Sequence, residues 1–425
     1  MNTTISQNTK AILLLTAPLI AGKKGEPLTL LTLSEYNKLA RHIHDIKRQP
    51  ADFLAADADD LLQSCSHLID ADRLRKLVGR GFLLSQVINQ WQDRSIWVIS
   101  RADSAYPRRI KSRLREDAPP VLYGCGNVAI TNTEGLAIVG SREVDETLVN
   151  YTKEVAHLSA KAERTIFSGG ARGIDQAAMN GALEATGKAV GVLADSLEKT
   201  ALNRSYHDAL KEDRLLLLSP YDPKAGFNVG NAMNRNKLIY ALADAALVVN
   251  SDFNKGGTWA GAVEQLTRLN FNQIYVRSTG EPGKGLDALR RKGALPWPNP
   301  ENEEAFVNAL SNQQNTVEEK PLDSLLEVSK ETKEQPSYNI EKPTTESVLS
   351  VYNDPAEDLF LKVRELIVNQ LSTPKNDNEI AHILKVSNTQ AKLWLNRLVD
   401  EKILLKQSKP KGYILQKQLA WSGKV

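Results

Sequence analysis

The chain is poor in cysteine: its 425 residues include two, Cys65 and Cys125. They lie too far apart in sequence to form a metal knuckle, and such low usage fits a reducing compartment rather than a disulfide framework. Histidine is scarce too, six in all, and only His42 and His44 stand close together. They read as solvent-facing side chains, not metal ligands. Neither a Gly-x-x-x-x-Gly-Lys-Ser/Thr loop nor a proper Gly-x-Gly-x-x-Gly turn after the first strand occurs, which argues against a P-loop NTPase and an NAD enzyme. No nucleophile elbow or Cys–His dyad is evident, so no catalytic residue, metal or cofactor is expected. Long apolar runs are also missing. The stretch Ala11–Ile20 is too short to span a bilayer, contains Pro18, and leads into Lys23 and Lys24 rather than a cleavage site. It reads as a core helix. The expectation is a cytoplasmic protein with no membrane partner.

Net charge is only +3, so the whole-chain balance does not announce nucleic acid. Its distribution says more. Residues 311–354 hold nine acidic and four basic side chains in a polar, Pro-containing stretch without periodicity, whereas residues 355–425 hold seven acidic and twelve basic. Four regions follow: a small helical N-terminal domain (1–92), an α/β domain (93–300), a polar flexible linker (301–354) and a C-terminal domain (355–425). Within the second, short apolar runs alternate with helical segments: Leu136–Val139, Thr165–Phe167, Ala189–Leu193, Leu215–Leu218, Ala246–Asn250 and Gln273–Val276. That alternation predicts a Rossmann-like parallel sheet with helices on both faces. The last region reads helix (378–384), turn, helix (388–400), then two strands around the basic tip 408–411, which is the outline of a winged helix.

Ser168-Gly169-Gly170-Ala171-Arg172-Gly173-Ile174-Asp175 is the most telling segment. It joins a strand to a helix. Adjacent glycines let backbone amides converge, the helix start adds partial positive charge, and Arg172 adds a permanent cation. Gly140-Ser141-Arg142 repeats the arrangement after Leu136–Val139. Asn234-Arg235-Asn236-Lys237 reads as a helix start capped by Asn234, with Arg235 and Lys237 in the first turn; it is either an anion contact or a solvated basic turn. Lys255-Gly256-Gly257-Thr258-Trp259 is a further strand–glycine–helix joint whose amides and Thr258 hydroxyl could cap a phosphate. Asp175 is either a general base or a structural carboxylate at a helix start, and the structural role is the reading taken here. Phe227 and Trp259 are each either a base-stacking ring or core. Several such joints in one sheet point to a ligand with several phosphates, or to a nucleic-acid backbone.

These residues resemble the DNA-processing protein A (DprA/Smf) family, in order across roughly residues 95–277. Asp103–Pro107 and Pro119–Gly124 resemble the lead-in to its Rossmann-like fold. Val139–Arg142 is similar to its first phosphate turn, and Ser168–Asp175 to its Ser-Gly-x-Ala-Arg-Gly-Ile-Asp signature. Phe227 with Asn234–Asn236 and Ile239 resembles its Phe-Pro-x-Arg-Asn-Arg-x-Ile segment. Met179 stands where the family usually has His, Asn234–Lys237 replaces Arg-Asn-Arg, and Lys255–Thr258 replaces a Ser-Gly-Ser loop. The resemblance implies a non-catalytic protein that binds single-stranded DNA in a basic pocket, shields it, and helps load a RecA-type recombinase, notably in natural transformation. It also implies a homodimer formed through the Rossmann-like domain. The winged helix would add a duplex- or protein-directed surface through Thr389, Gln390, Lys392, Asn396 and Arg397, with Lys409 and Lys411 at the wing.

Two other classes compete. Lys255–Thr258 with Glu264 faintly resembles the Gly-Gly-x-Gly-Thr loop of nucleotide-binding or nucleotide-cleaving domains of the same fold superfamily, which would make the chain a nucleotide sensor coupled to a winged helix. A sequence-specific regulator driven by residues 355–425 is the third.

Overall fold

The computed structural model describes residues 4–21, 28–281, 283–311, 355–371, 373–384, 386, 388–401, 403–408 and 411–415. The chain divides into two compact units, Met1–Pro321 and Leu322–Val425. The first is a mixed α/β unit built on a nine-stranded, mostly parallel sheet.

Five helices lead in: α1 (Gln7–Thr16), α2 (Leu33–Asp45), α3 (Ala58–Ser64), α4 (Ala71–Val78) and α5 (Gly81–Gln92). The apolar run of the N-terminus forms α1, and Ala11–Leu15 are fully buried. Strand β1 (Trp97–Ser100) pairs antiparallel with β2 (Val121–Gly126), separated in sequence by α6 (Arg108–Leu114). The alternating region then supplies β3 (Gly135–Val139), α7 (Glu146–Lys161), β4 (Thr165–Ser168), α8 (Ile174–Glu184), β5 (Ala189–Val192), α9 (Leu197–Ala201), α10 (His207–Lys211) and β6 (Leu215–Ser219). It continues with α11 (Val229–Leu242), β7 (Ala245–Val248), α12 (Gly256–Glu264), β8 (Gln273–Val276), α13 (Lys284–Arg291) and the two-residue β9 (Leu295–Pro296). All six strands expected in this region are present.

The sheet order is β1-β2-β6-β5-β4-β3-β7-β8-β9. From β6 to β9 every pair is parallel, and β2 joins β6 antiparallel. Strands with both faces covered must be apolar throughout, which explains the unbroken run Leu215–Leu218. Successive residues still serve opposite faces: Leu136 and Ile138 join one core, Ala137 and Val139 the other. From β3 the chain winds one way to β6; α11 then carries it back to β7 on the other side of β3. The winding therefore reverses between β3 and β7. In sheets of this kind ligands sit at the carboxyl ends of the strands, at this reversal.

The helices of residues 1–92 do not have a core of their own. Ile12–Leu15, Leu39, Leu74 and Trp91 pack into the same cluster as Leu136, Ile138, Ile166 and Leu217 of the sheet. The unit also runs past residue 300. Glu303–Ser311 continues as helix α14, with Phe306 buried and the Tyr275 hydroxyl donating to the Ala309 carbonyl at 3.0 Å. The polar composition of 301–311 hid the Phe306 and Leu310 anchors. The rest of the expected linker, 312–354, lies outside the described residues.

The second unit contains α15 (Pro355–Gln370), α16 (Asp377–Leu384), α17 (Asn388–Asp400), β10 (Leu404–Ser408) and β11 (Lys411–Leu415). The strands form an antiparallel hairpin with Leu404 opposite Leu415. Phe360, Ile367, Ile380, Leu395, Leu398 and Tyr413 make its core. No helix among the described residues is long and apolar enough to cross a membrane.

Candidate nucleic-acid interface

Two glycine turns meet at the sheet's carboxyl edge. The turn after β3 carries Gly140–Arg142, and that after β4 carries Gly169–Gly173. The Ile174 amide donates to the Ser141 carbonyl at 3.3 Å, which locks the turns together. Glycine is required at two points by close approach rather than by backbone angle. A Cβ on Gly140 would stand 2.5 Å from the Ile174 side chain, and one on Gly169 would stand 1.7 Å from the Arg235 guanidinium.

The amides of these turns do not face an open anion site. Those of Gly140, Gly169 and Ala171 donate to the Asp175 carboxylate. Asp175 is buried, and that burial raises its pKa to about 6 against the pull of Arg235 and the three amides. The turns thus hold the protein's own carboxylate, which corrects the expectation that Gly140 and Gly169 cradle phosphate. Ser168 is corrected likewise: it is fully buried, and its hydroxyl donates to the Ile138 carbonyl at 2.6 Å. Gly170 packs towards Leu193 and Met179, and Met179 itself is fully buried.

Arg235 is the partner that Asp175 serves. It projects from the second turn of α11, because that helix begins at Val229 and is capped by Asn228, whose side chain accepts from the Asn231 amide at 3.1 Å. Asn234 is therefore an exposed mid-helix residue and not the cap. Only 5% of Arg235 is exposed, and one guanidinium nitrogen donates to the Val192 carbonyl at 2.6 Å. Its Nε has no partner. Burial depresses its pKa, Asp175 opposes that, and the nearby Arg142 charge adds to it. Lys237 points elsewhere, its ammonium 3.4 Å from Glu264, which Arg268 also engages.

Between the ends of β3 and β7 lies a cleft of about 700 Å³. Gly140, Ser141, Arg142, Phe227, Arg235 and Lys255–Trp259 are among the residues lining it. Arg142 is exposed, with its guanidinium carbon 5.1 Å from the centroid of the Phe227 ring. Phe227 is 56% exposed, so it is no core residue. Lys255 is exposed and precedes α12 as a cap residue whose side chain makes no capping bond, and Gly256 and Gly257 of the first turn line the cleft. Thr258 donates to the Gly140 carbonyl at 2.9 Å, and Asn236 donates to the Gly257 carbonyl at 3.1 Å. These two bonds fix α12 against the β3 turn and α11. The structure therefore brings Arg142, Arg235 and Lys255 together. Arg172 is exposed on the neighbouring turn and does not line the cleft.

Trp259 is 7% exposed and packed in the core; the exposed ring beside it is Phe253, 57% exposed and 5.2 Å away edge-on. Sequence reasoning passed over Phe253 and Met233. The available signal for Phe253 was an aromatic residue within the polar loop Asn250–Asn254. Glu264 does not line the cleft; its carboxylate is engaged by Lys237 and Arg268.

In the second unit Lys392 and Asn396 are exposed on α17. Arg397 is engaged by Glu401 at 2.9 Å and lies 3.7 Å from the Phe360 ring centroid, and Gln390 is half-buried. Lys411 begins β11; Lys409 lies outside the described residues.

Comparison with known proteins agrees with this geometry. The family described as DNA recombination-mediator protein A matches residues 97–276. Protein Smf of Synechocystis is 27% identical over 191 residues, 43% of this chain and 47% of that protein. The DNA processing protein DprA of Streptococcus pneumoniae is 30% identical over 142 residues, 33% of this chain and 50% of its own. The matched segments thus span about half the length of these relatives. The X-ray structure of DprA from S. pneumoniae superposes with a TM-score of 0.54 at 18% identity, covering 72% of this chain and 98% of that one, which establishes the shared Rossmann-like fold.

Proposed function

This chain belongs to the DprA/Smf family, and from that premise we propose that its switch-point cleft binds single-stranded DNA. The observation that carries the reading is the convergence of Arg142, Arg235 and Lys255 on one cleft beside the exposed ring of Phe227. Cations and open helix amides neutralise phosphates without reading sequence. An exposed aromatic ring stacks on any base, which requires that the base be unpaired.

The role is non-catalytic in this reading. Of the carboxylates that line the cleft, Glu143, Asp175 and Asp252, Asp175 is buried beside Arg235, and Glu264 outside it is held by Lys237 and Arg268. A bound strand would be shielded from nucleases and handed to a RecA-type recombinase, as the family resemblance implies for DNA processing in transformation. The same resemblance supports a cytoplasmic homodimer. The second unit, read as a winged helix, would add a surface through Lys392 and Asn396.

The test is affinity for a short oligo-dT strand against a duplex of the same length across a salt series. Tighter binding of the single strand is expected, with a log–log slope of about −1.4, since Arg142 and Lys255 are the exposed cations lining the cleft and each neutralised phosphate of a single strand contributes about −0.7. Equal or tighter duplex binding, or affinity indifferent to salt, overturns the reading.

A further inference from the structure

We infer that Phe253 is a second base-stacking platform, which takes the place that the sequence offers to Trp259. The inference rests on the single-strand reading of the cleft and sharpens it, because it says where a base, as distinct from a phosphate, is held.

Phe253 occupies the loop between β7 and α12. Phe253 does not itself line the cleft, but its neighbours on both sides, Asp252 and Asn254, do, and so does Trp259, against whose ring it stands edge-on at 5.2 Å, which puts it at the border of the cleft. Trp259 is sunk in the core with 7% exposure, whereas Phe253 keeps 57% of its surface exposed. The buried indole thus braces the exposed ring, as the Arg142 guanidinium braces Phe227 on the other loop. Braced rings lose little freedom when a base stacks on them.

Exposure alone does not make the argument. Phe82 is 87% exposed, yet it belongs to α5, none of whose residues line the cleft. Isolated exposed apolar side chains are ordinary. Phe253 differs in company: its loop borders the cleft at which Phe227, Val229 and Met233 are exposed, and Arg142 and Lys255 supply that cleft's cations. Apolar rings interleaved with cations match a chain of alternating bases and phosphates. A purely anionic ligand would gain nothing from the rings.

The experiment compares Phe253→Ala with the unaltered protein on two ligands, oligo-dT and a strand of equal length built from abasic tetrahydrofuran units. Loss of one stacked base weakens oligo-dT binding by about tenfold. Affinity for the abasic strand should stay within twofold, and Phe253→Trp should restore oligo-dT binding. Thermal melting of each variant verifies folding. If the unaltered protein binds oligo-dT and Phe253→Ala binds it equally well, the inference fails while the single-strand reading stands. If the variant loses both ligands equally, the ring is a packing element, and the inference fails. If the unaltered protein binds neither strand, the single-strand reading falls first and the inference with it.

Discussion

Asp175 and Arg235 are buried neighbours at the carboxyl edge of the sheet, and the charge of each offsets part of the other's desolvation. The carboxylate collects the amides of Gly140, Gly169 and Ala171, while the guanidinium spends one nitrogen on the Val192 carbonyl and leaves Nε open. Asp175→Asn leaves the buried Arg235 charge without that attraction and is expected to destabilise the first unit, as read by urea unfolding, and Arg235→Met to weaken DNA binding as well.

The same pair predicts a titration. Burial raises the Asp175 pKa from 3.8 to about 6 in the folded protein. Between those values the folded state binds more protons than the unfolded one, so this group's contribution to stability falls as pH rises from 4 to 6. Arg235→Met removes the attraction that holds the value down, so Asp175 should titrate above about 6 in that variant. Carboxyl-carbon NMR of labelled aspartate measures both. A native Asp175 titrating near 4 would contradict the assignment.

The cations divide by geometry rather than by sequence motif. Arg142→Ala should weaken oligo-dT binding and flatten its log–log salt slope by about 0.7, and Lys255→Ala should do the same. Lys237→Ala should change neither, because its ammonium is given to Glu264. Arg172→Ala should have a smaller effect than Arg142→Ala, since Arg172 does not line the cleft. Salt-series titrations of the four variants rank them directly.

Glycine substitutions offer a matched contrast. Gly169→Ala would put a methyl group 1.7 Å from the Arg235 guanidinium, with Asp175 at 2.4 Å. It is expected to cost several kcal/mol, on the order of other overpacking changes that disturb a buried pair. The nearest atom to a methyl group at Gly257 is 3.6 Å away, an ordinary contact, so Gly257→Ala should melt close to the native temperature.

Much of the fold was legible because it rests on burial. The runs Leu136–Val139 and Leu215–Leu218 can only be strands covered on both faces, and their spacing leaves room for crossover helices. The location of the cleft also followed, since strand–glycine–helix joints mark carboxyl ends. What sequence could not supply was the direction in which each polar group is spent. Gly140 and Gly169 look the same whether their amides meet a phosphate or Asp175. Arg235 and Lys237 are two residues apart on a helix, which turns them to different faces, yet both read as cations of one turn. The helix start was misplaced by six residues because Asn228 and Asn234 are equally good caps by composition. Trp259 and Phe253 were separable only by burial, which depends on how α12 lies against α11.

The sharing of one core between the leading helices and the sheet has a practical corollary. Helix α1 packs against β1 and β2, and the Trp91 ring stands edge-on to that of Tyr123 in β2 at 5.1 Å. A shortened protein that starts near residue 97 would bare that oily surface to water and should clump before any ligand could be offered to it. Shorter proteins built on this sheet must therefore roof the same face with some other segment or with a neighbouring subunit.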